Sequence, residues 1–146
     1  MANNALNEEV RAGDSRGLMA EGIQEQVAEL TTLAKASKQK SPLRHVYASP
    51  PPESRWDESQ WANYWQTYET AMGLEGCAFS EAIHLKTGER DRPEHRHRVY
   101  LALTERGTLV RNGHDYAKQE AVSRIAEFDT GAVLTKGVHN VRAMKA

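Results

Sequence analysis

The run Pro93-Glu94-His95-Arg96-His97-Arg98-Val99-Tyr100-Leu101-Ala102-Leu103 constrains the fold of this chain more than any other. Histidines at i and i+2 share a face only in an extended strand, where side chains alternate with period two. The residues that follow are strand formers. The spacing predicts a strand over 95–103, with His95 and His97 on one face and Arg96, Arg98 and Tyr100 on the other. A second strand-like run, 77–85, carries His84 near its end. The ten residues between His84 and His95 include Thr87-Gly88 and Pro93, which suits a hairpin loop. Three imidazoles are thereby expected to meet.

Three neutral imidazoles suit Zn, Mn, Co, Ni or Fe and leave coordination positions for substrate or water. A closed structural site would want a fourth protein ligand. The plainer reading is surface histidines on an exposed sheet face. His45, His114 and His139 stand without comparable neighbours in the sequence, and His114 reads as a turn or cap residue.

The chain has 146 residues, enough for about one domain with a real core. No apolar run approaches the roughly 20 residues that cross a bilayer. The first residues are polar and acidic, unlike a secretory leader. A lone cysteine, Cys77, excludes an internal disulfide and suits the reducing cytoplasm; it reads as a small residue of a buried strand. The formal net charge of -1 hides an uneven distribution. Glu8, Glu9, Asp14, Glu21, Glu25 and Glu29 make the beginning acidic. Lys86, Arg90, Arg92, Arg96, Arg98, Arg106 and Arg111 make the histidine region basic, which suits a phosphate-bearing substrate. Charge runs of this kind more often make a solvated face.

Residues 1–16 read as a loose leader. Over 17–37, Ile23, Val27, Leu30 and Ala34 recur at helical spacing. Residues 43–49 read as a short strand stopped by Pro50-Pro51-Pro52. Asp57 with Gln60 gives a capping-box pattern. A helix follows, with Trp61, Tyr64, Trp65, Tyr68 and Met72 on one stripe. That stripe could stack nucleobases, but core packing against a sheet is the simpler expectation. Glu105-Arg106-Gly107-Thr108 reads as a turn before Leu109-Val110-Arg111, and a last helix is expected from about Asp115 to Phe128. Residues 131–146 read as a C-terminal tail or linker. The expected fold class is α+β: an antiparallel sheet with helices packed on one face and the histidines on the other.

In this order of elements, His84 and Pro93-Glu94-His95-Arg96-His97 resemble the histidine motif of relaxase domains of plasmid mobilisation proteins, in the HUH nuclease superfamily. Arg16-Gly17-Leu18-Met19 is similar to the Arg-Gly-Phe stretch of one relaxase branch. Tyr47-Ala48-Ser49-Pro50-Pro51-Pro52 before Asp57-Glu58 looks like its strand-to-helix junction, and His114-Asp115-Tyr116-Ala117-Lys118 fits the helix opening after the histidine strand. The resemblance covers much of the chain, with 17–130 as the relaxase-like domain.

It implies an HUH-like α+β fold and a metal-dependent relaxase that nicks single-stranded DNA in plasmid mobilisation and conjugation. A tyrosine hydroxyl attacks a phosphodiester and stays linked to the 5′ phosphate. His84, His95 and His97 would be the ligands of a divalent metal (Mn, Mg or Zn). Lys86, Arg90 and Arg92 are the expected DNA backbone contacts, and proteins of the plasmid transfer complex are further expected partners. The departure is at the nucleophile. Relaxases carry that tyrosine near the N-terminus, on or after an opening strand, whereas here no tyrosine precedes Tyr47 and no opening strand is expected. The expectation is therefore an incomplete form, or one inactive alone. Related replication initiators and transposases place the tyrosine on a helix after the histidine pair, where Tyr116 is the matching candidate; the first turn of an amphipathic helix also explains it. The alternative from another class is a non-catalytic DNA-binding or assembly module that keeps the fold. An unrelated three-histidine hydrolase or oxygenase would instead turn over small molecules.

Overall fold

Among the described residues the chain forms seven elements: β1 Glu8–Arg16, α1 Ile23–Ser37, β2 Leu43–Ala48, α2 Glu58–Met72, β3 Phe79–Lys86, β4 His95–Leu101 and α3 Asp115–Thr130. The structure, a computed structural model, describes residues 8–50, 55–86, 94–111 and 115–130. The chain divides into two units, the sheet with α1 and the pair α2 with α3.

The four strands lie in the order β1-β3-β4-β2, every neighbouring pair antiparallel. This is the expected α+β class. Residues 8–16, expected as part of a loose leader, instead form the edge strand β1. Val10 stands opposite His84 and Ala12 opposite Ala82. The register shifts between Ala12 and Ser15, and this irregularity, with few apolar residues, hides the strand in the sequence. The opening strand expected to be missing is therefore present.

The helix α1 packs on β2, β3 and β4. Leu30 and Ala34 meet Leu101, with Leu43, Ala78, Val99, Leu18 and Leu103 around them. Gln26, itself buried, accepts a hydrogen bond from the Ser80 hydroxyl, and its amide donates to the carbonyls of Ala20 and Glu21. Glu29 accepts from the backbone N–H groups of Met19 and Ala20, which fixes the entry into the helix.

Pairing register identifies the face that α1 covers. Leu43 is opposite Leu101, His45 opposite Val99 and Tyr47 opposite His97; on the other side Ser80 is opposite Val99 and His84 opposite His95. Directly paired residues point the same way. The histidines therefore lie on the same face as α1, farther along the strands, and not on the opposite face as expected. The opposite face holds Phe79, Glu81, Ile83, Arg96, Arg98 and Tyr100, all buried.

In the second unit, the capping box at the start of α2 forms as expected. Asp57 accepts from the Gln60 N–H at 2.8 Å, and the Asp57 N–H donates to the Gln60 side chain at 2.9 Å. Gly73, at φ 72°, ends the helix in the left-handed conformation that glycine adopts without a steric cost. Trp61, Trp65, Tyr68 and Met72 are buried, and α2 packs with α3, whose Val122 and Ala126 are buried as well.

Candidate functional site

His84 is paired directly with His95 across β3 and β4, and His97 lies one pleat farther along the same face. The predicted meeting of three imidazoles is formed. Ring centres are 4.3 Å apart for His84 and His97, 6.3 Å for His84 and His95, and 6.4 Å for His95 and His97. All three rings are half-buried.

Two residues of β2 join them, and the sequence alone did not bring either to the site. His45 places its Nε2 3.1 Å from His97 Nδ1, so the expectation that His45 lacks company is corrected. Tyr47 sets its ring 5.1 Å from that of His97 and 5.7 Å from that of His95, and it is 56% exposed. Both arrive through the β2–β4 register, a pairing of residues some fifty positions apart that no local pattern announces. Val10, from β1 and also half exposed, borders His84.

The donor set can be tested against a divalent ion. Three imidazoles bound through nitrogens at about 2.0–2.1 Å hold their ring centres about 5 Å apart. The observed separations of 4.3, 6.3 and 6.4 Å bracket that value. Among the described residues, no three His, Cys, Asp or Glu side chains already stand in a coordinating arrangement. The residue types suit a divalent ion, and the pairing register sets all three on one sheet face.

The other predicted residues are placed less completely. Lys86 ends β3, its backbone opposite Glu8, and its side chain lies outside the described residues, as do Arg90 and Arg92 altogether. Tyr116 is in the first turn of α3, its side chain likewise outside. Arg96 and Arg98 point away from the histidines, as alternation requires. Arg98 Nε donates to Glu81 at 3.0 Å, and Arg96 Nε donates to Glu94 at 2.6 Å.

The antiparallel sheet gathers one histidine from β3 and two from its neighbour β4 on a single face. The chain matches the family model for the relaxase, MobA/VirD2-like nuclease domain over residues 2–131. It belongs to that family, whose members nick DNA in mobilisation, bind single-stranded DNA and generally work with a divalent metal. No curated protein and no solved structure matches it. No described helix is long and apolar enough to cross a membrane.

Proposed function

We propose that this chain is a metal-dependent relaxase domain that nicks single-stranded DNA during plasmid mobilisation, with His84, His95 and His97 holding the ion. The observation that carries this reading is the convergence of those three imidazoles on one sheet face in a chain of the relaxase family. A divalent cation there, Mn, Mg or Zn, would polarise a scissile phosphate as a Lewis acid. Lys86, the last residue of the strand that carries His84, and Arg90 and Arg92, which follow it in the sequence, would neutralise the DNA backbone. A tyrosine hydroxyl supplies the nucleophile: its oxygen bonds to phosphorus, the bond to the 3′ oxygen breaks, and that oxygen takes up a proton. Tyr116 is the candidate by chain order. Tyr47 is a second, favoured by its exposed ring beside His95 and His97. A free buried thiol at Cys77 suits the cytoplasm, where plasmid transfer-complex proteins would be met.

The experiment is a titration with MnCl2 or ZnCl2 followed by thermal melting, on the wild type and on His95→Ala/His97→Ala. A cation that binds only the folded state stabilises it by about 2.7 kcal/mol at a hundredfold excess over Kd. The expected result is saturable stabilisation of the wild type and none of the double variant. A wild type that is not stabilised refutes the metal reading and leaves the alternative, a non-catalytic DNA-binding or assembly module with the relaxase fold. Where the cation binds, a covalent adduct with single-stranded DNA that survives Tyr116→Phe excludes Tyr116, and one that survives Tyr47→Phe excludes Tyr47.

A further inference from the structure

We infer that His45 is a positioning residue of this site: it accepts the Nδ1–H of His97 and so fixes the tautomer in which His97 offers its Nε2 lone pair to a divalent cation. The inference rests on the metal reading above.

The geometry is specific. His45 Nε2 and His97 Nδ1 are 3.1 Å apart, with ring centres 5.2 Å apart and planes inclined by 38°. Two neutral imidazoles at that distance share one proton, so one nitrogen donates and the other accepts. Were His45 the donor, the proton of His97 would sit on Nε2, and that nitrogen could not bind a cation. With His97 as donor, its Nε2 carries the lone pair. Metal-binding histidines are generally held in this way, the second ring nitrogen donating to an acceptor behind it.

Strand order supports the assignment. β4 lies between β3 and β2, so His97 is flanked from both sides. From β2, His45 binds its Nδ1; from β3, the His84 ring stands 4.3 Å from its own. The ring that bridges the two flanks is thereby held by a bond on the side away from the other expected ligand strand. His45 is diagonal to His97 and directly opposite Val99, which packs against the α1 cluster. The acceptor, itself exposed, is thereby paired with a residue that packs against the hydrophobic core.

The test uses the full chain with MnCl2 and ZnCl2 as probes, comparing wild type, His45→Ala, His45→Gln and His84→Ala. Calorimetry reads affinity, and nitrogen-15 imidazole spectra of the metal-free protein read the His97 tautomer. The expected result is a proton on His97 Nδ1 and a 10- to 100-fold loss of affinity in His45→Ala. His45→Gln should recover most of that loss, because an amide oxygen accepts a hydrogen bond but is a poor substitute for an imidazole ligand. Unchanged affinity in His45→Ala, or a His97 proton on Nε2, overturns the inference alone. Complete loss in both His45 variants, equal to that in His84→Ala, also overturns it, by making His45 a ligand. Absence of binding to the wild type overturns the proposed function, and the metal role of His45 with it.

Discussion

Glu81 shows how much of this sheet depends on one carboxylate. Its side chain is 1% exposed, yet it accepts from Arg98 Nε at 3.0 Å and from the Asp14 N–H at 2.9 Å, with an Arg96 Nη1 3.8 Å away. Arg98 also lies 3.9 Å over the Phe79 ring and donates to the Tyr100 hydroxyl. The edge strand β1 reaches the carboxylate because Gly13 has no side chain; a Cβ there would collide with Glu81. Removing one member of a buried ion pair leaves an uncompensated charge, which typically costs about 3–5 kcal/mol. Glu81→Ala should therefore lower stability in urea denaturation by about that much, whereas changes at exposed Glu9 should be near neutral. A loss below about 1 kcal/mol would show the network to be dispensable. The sequence made the opposite orientation of Arg96 and Arg98 legible through alternation alone. It did not make the partner legible, because Glu81 meets Arg98 only once β3 and β4 are in register.

Among the elements, legibility followed the strength of the local pattern. The α2 helix was readable because Asp57, Gln60 and the aromatic stripe are all encoded within a few residues, and the capping box forms as expected. Replacing such a cap by alanine typically costs about 1 kcal/mol. Asp57→Ala is expected to lower the melting midpoint accordingly, and Asp57→Asn to restore most of it; equal losses in both would implicate the charge and not the hydrogen bond. The strand β1 was unreadable for the converse reason. Glu8-Glu9-Val10-Arg11-Ala12-Gly13-Asp14-Ser15-Arg16 has little apolar content and an irregular register, so tertiary pairing with β3 supplies what local propensity lacks. The site was legible by halves. His84, His95 and His97 follow from period two and a hairpin, while His45 and Tyr47 depend on a strand that joins the sheet from the far side.

At the level of the whole molecule, Tyr64 of α2 should make stability fall in alkali. Burial, with neighbouring Tyr68 second, pushes the Tyr64 phenol up from 10.0 to about 12. The unfolded chain thus loses this proton near pH 10, while the folded chain keeps it until about pH 12. The unfolded state binds fewer protons across that interval, so stability falls as pH rises. Melting temperatures measured from about pH 9 to 11 should drop more steeply for the wild type than for Tyr64→Phe. Identical slopes would remove Tyr64 from the account.

One sheet face carries both the apolar contact with α1 and the imidazoles, and this has a consequence for folding errors. A slip of one residue between strands would turn His95 and His97 toward the arginine side. The same slip would pull Leu101 and Leu43 out from under α1. Oil-like packing at one end of the strands therefore proofreads the chemistry at the other: a chain that has closed its core has already aligned its histidines.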